Sequence, residues 1–309
     1  MKLYLAPIRG ITDSIFRNTF VKYFCGFDTA ICPFITTVKG DKIKKNHIKD
    51  ILPENNIGLP LIPQILSNDQ NLFVKMAIEF FDLGYDTINW NLGCPYPMVA
   101  NKKRGSGLLP FYDEIQKFLD FTLNKIPNKL SIKCRIGRFS SDEIFNLIPV
   151  FNIYPIEELI IHPRTGIQMY TGHPDLDTFE KCIQQSKIPV IYNGDIKDII
   201  FFNCLSNRFP LIDKWMIGRG AIENPFLPSL IKNQNIKINQ MKIKDFHDEL
   251  FFKYSEILYG GSHILGKMKG IWFYLSNFFK HNSKLLKKIQ RVKSINKYND
   301  IISELFSKI

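Results

Sequence analysis

The chain has 309 residues, with 41 Lys plus Arg against 29 Asp plus Glu for a formal charge of +12, and 45% of it is hydrophobic. That balance excludes a disordered tail protein, a collagen-like fibre and a minimal disulfide scaffold. The length suits two ordinary domains or one large α/β barrel with a smaller appendage.

No apolar run approaches the roughly 18 residues of a membrane span. Met1 to Arg9 is too short and too early-charged to be a signal peptide's apolar region, so a cytoplasmic chain is expected. The six cysteines (Cys25, Cys32, Cys94, Cys134, Cys182, Cys204) form no C-x-x-C pair and no repeated spacing. Neither a zinc site nor a disulfide framework is indicated.

In chain order, short β-rich runs are predicted at residues 3–5, 27–31, 61–65, 86–90, 130–135, 158–161, 190–192 and 214–217. Helical patterns fall between them, as at 13–24, 71–83 and 112–123. Eight βα repeats in about 220 residues is the scale of a closed (β/α)8 TIM barrel. An open doubly wound sheet is the alternative, but no G-x-G-x-x-G follows the first strand. In a barrel the active site is assembled at the carboxyl ends of the strands. There the sequence offers Pro7-Ile8-Arg9, Pro33, Gln64, Asn91 to Pro95, Lys133 with Arg135, His162 with Arg164, Asn193-Gly194-Asp195, and Gly218-Arg219-Gly220. Glycines after the seventh and eighth strands suit a phosphate approached by backbone N–H groups, with Arg219 supplying charge.

Residues 231–309 carry 15 Lys plus Arg against 6 Asp plus Glu, so +9 of the +12 sits in the last quarter of the chain. This part has helical periodicity, with apolar faces at 246–258 and 271–279, then Lys280, Lys284, Lys287, Lys288, Arg291 and Lys293. A concentrated basic helical module is the footprint of a polyanion partner, most often nucleic acid; a solvated lysine-rich face is the plainer reading. The expected division is a catalytic barrel over 1–235 and a smaller all-helical, basic domain over 236–309. Monomer is the default oligomeric state.

These motifs together resemble the tRNA-dihydrouridine synthases, flavin enzymes with a (β/α)8 barrel and a C-terminal helical domain that binds tRNA. The resemblance rests on Leu5-Ala6-Pro7-Ile8-Arg9-Gly10-Ile11-Thr12-Asp13, Asn91-Leu92-Gly93-Cys94-Pro95, Lys133-Cys134-Arg135-Ile136-Gly137 and Ile161-His162-Pro163-Arg164-Thr165. It continues with Gln168, Tyr170, Asn193-Gly194-Asp195-Ile196 and Met216-Ile217-Gly218-Arg219-Gly220-Ala221. Ile8, Arg9 and Asn89 depart from the family pattern, Asn89 standing where an Asp is usual, and no Trp follows Tyr170-Thr171-Gly172.

The resemblance implies FMN as cofactor, NADPH or NADH as reductant, and tRNA as partner. It implies hydride transfer from flavin N5 to uracil C6, with Cys94 protonating C5. For that work Cys94 must be a thiol rather than a thiolate. Pro7, Ile8, Arg9, Gln64, Lys133, His162, Asn193, Gly194, Asp195, Gly218 and Arg219 would then hold the flavin. Asn91, Arg135, Arg164, Lys287, Lys288 and Arg291 would contact the RNA. Trp272, Phe273 and Tyr274 are expected in the helical core. Two rivals remain: a flavin reductase of small pyrimidines or enones, for which a +9 tail has no use, and an inactive tRNA-binding protein, which would need neither Cys94 nor Lys133.

Overall fold

The computed structural model describes residues 1–38, 43–232 and 236–307, apart from the side chains of residues 280–282. The expected domain boundary at 235/236 and the side chain of Lys280 therefore lie outside the described residues. Among the described residues ten strand segments form: β1 (Lys2–Leu5), β2 (Thr29–Ile31), β3 (Ile35–Thr36), β4 (Leu61–Ile62), β5 (Gln64–Leu66), β6 (Thr87–Leu92), β7 (Lys129–Gly137), β8 (Ile156–Thr165), β9 (Val190–Asn193) and β10 (Lys214–Ile217). All pair in parallel, in the order β3-β5-β6-β7-β8-β9-β10-β1-β2-β4.

The ten segments are eight strands, because two are interrupted at prolines that cannot donate to a ladder. Pro63 alone separates β4 from β5, and Cys32-Pro33-Phe34 separates β2 from β3. Cys32 N donates to Ile62 O (3.2 Å) on one side of the broken third strand, and Asn89 N donates to Pro63 O (2.8 Å) on the other. The ends of the pairing order thus meet, and the sheet closes into the eight-stranded barrel that the sequence predicts.

Period-2 alternation then sorts every strand into two faces. Outward residues such as Leu3, Trp90, Ile132, Leu159, Tyr192 and Trp215 join the core beneath the surrounding helices. Inside, one half of the barrel is apolar, filled by Tyr4, Ala6, Ile31, Ile160, Ile191 and Met216. The other half, facing β5 to β8, holds the buried polar side chains Gln64, Asn89, Ser131 and Glu158. Asp13, Asp69, Asp175 and Asp198 each cap the helix that follows by accepting a backbone N–H, which satisfies an otherwise orphaned donor.

Beyond the barrel come helices Gln240–Ile257, Gly261–Leu275, Ser283–Arg291 and Ile295–Ser307. The first of them inserts Phe246 edge-on against Phe16 (5.7 Å), Phe20 (6.0 Å) and Phe24 (5.2 Å) of the first barrel helix. Asp13, which caps that helix, also accepts from Tyr254 Oη (2.8 Å) and Lys267 Nζ. The helical part is thereby fixed to the unit that carries the first active-site loop. Within its core, Tyr298 Oη meets His247 Nε2 at 2.6 Å and accepts from Trp272 Nε1 at 2.9 Å.

The expectation for three consecutive aromatics needs correction. Trp272 is fully buried, but Phe273 is 66% exposed and Tyr274 half-buried. Successive helical residues point about 100° apart, so three in a row cannot share one core face.

Candidate functional site

A pocket of about 350 Å³ opens at the carboxyl ends of the strands, within the range of small-molecule sites. It brings together Pro7, Ile8, Arg9, Gln64, Asn91, Cys94, Lys133, Arg135, His162, Asn193, Gly194, Asp195, Gly218 and Arg219. Three further lining groups are not singled out by the sequence: Phe34, whose ring lies 5.6 Å from the Arg9 guanidinium carbon, Tyr96 and Lys197. Phe273 and Tyr274 of the helical part complete the wall.

Four expected residues lie elsewhere. Arg164 does not line the pocket: it is 1% exposed and donates to the carbonyls of Thr171 and Gly172 and to Asp195. It shares the inward face of β8 with His162 two residues before it, but its Nε, Nη1 and Nη2 are engaged by protein acceptors, so it supports the site from behind. Lys287, Lys288 and Arg291 are exposed on helix Ser283–Arg291, whose opposite face buries Leu285 and Ile289.

Cys94 is held from several sides. Asn91 Oδ1 accepts from Gly93 N (3.0 Å) and Cys94 N (2.9 Å), and Ser106 donates to Cys94 O through both N and Oγ. Gly105 packs directly behind it with φ +56°, where an added Cβ would stand 2.7 Å from Cys94 O and 2.9 Å from Cys94 Cβ. Both the left-handed backbone and the close approach require glycine. Gly105→Ala is therefore expected to push the Cys94 backbone out of place and to destabilise the fold by about 1–2 kcal/mol, the cost of a left-handed backbone for a residue with a Cβ. Thermal melts check this; an unchanged melting temperature would show that the loop absorbs the methyl group.

Burial pushes the Cys94 thiol above its ordinary pKa of 9.0, against the opposing effects of a Tyr96 backbone hydrogen bond and the charges of Arg9, Arg135 and Lys133. It is a thiol at neutral pH. His162 lies well below 6.5, first through burial and then through the cations around it, Arg135 foremost. Its Nε2 faces Arg164 Nη1 at 3.2 Å. A guanidinium cannot accept, so the neutral imidazole turns its lone pair to Arg164 and keeps its hydrogen on Nδ1.

Asp195 adopts φ +43°, a left-handed conformation that Asp tolerates better than most residues. Burial opposes its ionisation, but the hydrogen bond and charge of Arg164 and the charge of Arg219 outweigh it and hold the carboxyl below its usual pKa. Arg219 Nη2 donates to Asp195 Oδ1 at 2.6 Å, and its guanidinium carbon lies 4.6 Å from the Tyr170 ring centroid. Two guanidiniums sharing one carboxylate leave a net positive charge beside the Asn193-Gly194 turn.

Lys133 has no hydrogen-bond partner among the described residues. Burial, with the charge of Arg135 added, draws its pKa from 10.5 down to about 8. An unpaired ammonium at a pocket wall is costly unless an electron-rich ligand meets it, so it fits the N1–C2=O edge of a flavin. Between pH 8 and 10.5 the unfolded chain keeps a proton that the folded chain releases, so the ligand-free protein gains stability as pH rises through that window. Lys133→Met should flatten that rise and raise the melting temperature at pH 7 by about 2–4 °C for each kcal/mol relieved. Thermal melts across pH check this; a lower melting temperature at pH 7 would mean that Lys133 is stabilised by the protein alone.

Among the described residues, no helix is long and apolar enough to cross a membrane and no His/Cys/Asp/Glu group could hold a metal ion. The fold is similar to that of the old yellow enzyme homologue from Zymomonas mobilis (TM-score 0.55, 12% identity, 77% of this chain and 90% of that one). In sequence the chain is similar to tRNA-dihydrouridine synthase B of Pasteurella multocida, 28% identical over 246 residues, 76% of this chain and 71% of that protein. It is also similar to tRNA-dihydrouridine(16) synthase of Vibrio vulnificus, 25% identical over 266 residues, 83% of this chain and 81% of that protein. A family profile described as dihydrouridine synthase (Dus) matches residues 4–307. With that match running through both the barrel and the helical part, the chain belongs to the dihydrouridine synthase family.

Proposed function

We propose that this protein is a tRNA-dihydrouridine synthase that reduces the C5–C6 double bond of uridines in tRNA, with FMN as cofactor and NADPH or NADH as reductant. The observation that carries the reading is the placement of a protonated thiol, Cys94, in the same pocket as the unpaired ammonium of Lys133. When bound, the flavin supplies a hydride for C6, which no side chain can. The chain's own part is to hold, orient and protonate.

Lys133 offers its charge to the flavin's electron-rich edge, and the amide of Gln64 offers hydrogen bonds to the ring. The backbone of Pro7 and Ile8, with Arg9 beside them, forms one wall. Asn193, Gly194, Asp195, Gly218 and Arg219 receive the ribityl phosphate, where the excess positive charge of Arg164 and Arg219 lies. His162 presents its Nδ1 hydrogen, and Cys94 delivers its proton to C5. Asn91 and Arg135 border the uracil.

A stacked uracil cannot enter such a pocket, so the base must be extruded at a cost of a few kcal/mol. Tyr96, Tyr170, Phe273 and Tyr274 line the pocket, Tyr96, Tyr170 and Phe273 being exposed, and offer π faces to the flipped base. The helical part over 236–309 holds the RNA, with Lys287, Lys288 and Arg291 on the phosphates, while the barrel over 1–235 carries the chemistry. A small-molecule reductase would have no use for that basic face. The test is to incubate the protein with FMN, NADPH and an unmodified tRNA transcript. Mass spectrometry should find uridines that have gained two hydrogens; none, with flavin bound and NADPH consumed, would refute the reading.

A further inference from the structure

The polar half of the barrel contains an unbroken hydrogen-bonded chain from its floor to Cys94. At its foot, Glu158 Oε2 accepts from Tyr4 Oη (3.1 Å) and Lys214 Nζ (3.2 Å), and Glu158 Oε1 accepts from Ser131 Oγ (3.2 Å). Ser131 Oγ accepts from Asn89 Nδ2 (2.8 Å), Asn89 Oδ1 from Gln64 Nε2 (2.8 Å), and Gln64 Oε1 from Asn91 Nδ2 (2.7 Å). Asn91 Oδ1 finally accepts the backbone N–H groups of Gly93 and Cys94.

Gln64, Asn89 and Ser131 are 0% exposed and Glu158 2%, so solvent is not at hand to correct a mismatch. Each buried donor set against a donor would cost the full desolvation of that group. Both ends have fixed polarity: a backbone N–H can only donate, and a carboxylate can only accept. Every amide between them must therefore face one way.

The geometry points to Asn89 as the positioning residue of the site. Its side-chain oxygen fixes the Gln64 amide and, through Asn91, the Cys94 loop, while its amide nitrogen is the donor that Ser131 needs because Glu158 already takes the hydroxyl proton. An aspartate at 89 would serve Gln64 equally well. It would also set two carboxylates against the single proton of Ser131. Asn at this position is then the complement of Glu158 at the foot of the chain. The roles given to Gln64 and Cys94 rest on the proposed function, whereas the coupling itself does not.

Three variants separate these statements, all measured on the protein without flavin or RNA. In Asn89→Leu the Gln64 amide loses its acceptor, and exchange of the Gly93 and Cys94 amide hydrogens should accelerate about tenfold, a loss of about one buried hydrogen bond. Asn89→Asp keeps the acceptor and should leave that exchange at the wild-type rate, yet melt at a lower temperature. Adding Glu158→Gln to Asn89→Asp moves the carboxylate up the chain and should restore the melting temperature. Wild-type exchange in Asn89→Leu would overturn the positioning role. A double variant that melts no higher than Asn89→Asp would overturn the complementarity. Should Asn89→Leu not fold, Gln64→Met cuts the chain one link nearer Cys94 by removing the acceptor of Asn91 Nδ2, and carries the same expectation for the exchange. A confirmed chain in a protein that makes no dihydrouridine would leave this inference standing and remove only the proposed activity.

Discussion

Cys94→Ala is expected to slow uridine reduction by about 10²- to 10⁴-fold, the range of a lost general acid, while flavin binding and oxidation of NADPH by the flavin stay as in the wild type. The expectation follows from the protonation states of the pocket. Burial keeps the Cys94 thiol protonated at neutral pH although three cations oppose it, whereas His162 is depressed well below 6.5 and is neutral. Asn91 and Ser106 anchor the backbone of Cys94, so its proton is held in one place. Anaerobic single-turnover reduction of tRNA by the reduced enzyme checks the step. A rate equal to wild type would remove Cys94 from the proton transfer.

Charge reversal of Lys287, Lys288 and Arg291 to Glu is expected to weaken tRNA binding by orders of magnitude at low salt and to flatten its salt dependence by about two to three in logarithmic slope. These residues, with Lys284, recur at helical spacing on the exposed side of Ser283–Arg291, opposite buried Leu285 and Ile289. No ion pair engages them among the described residues, so their charge is free to replace counterions on phosphate. Reduction of the flavin by NADPH should not change. Equal binding from low to high salt in wild type and variant would take this face out of the RNA interface.

The barrel was legible because its strands obey one simple alternation. Leu130, Ile132 and Cys134 point outward and Ser131, Lys133 and Arg135 inward, so strand identity, facing and active-site end are all written in β7. Splitting at Pro33 and Pro63 was less visible, because a strand within a closed ring survives a missing donor when its neighbours bridge the gap. The residues of the pocket were legible for the same reason as the strands: they stand at strand ends.

What lay hidden depended on three-dimensional phase or on distant partners. Nothing local separates Arg164 from Arg135, yet Arg164 meets Asp195 and two carbonyls of the loop 171–172 and lies behind the pocket. Phe273 and Tyr274 reach the pocket because Phe246 and Asp13 fix the helical part against the first barrel helix. Asn89, a bare departure from a motif in the sequence, acquires its reason only when Glu158 is found two hydrogen bonds below it.

The most direct test is an absorbance spectrum of the purified protein, followed under anaerobic conditions by NADPH and then by unmodified tRNA. The account predicts flavin bands that bleach with NADPH and return only when tRNA is added. A protein that neither carries flavin nor takes up FMN, or a reduced flavin reoxidised by small pyrimidines but not by tRNA, would contradict it.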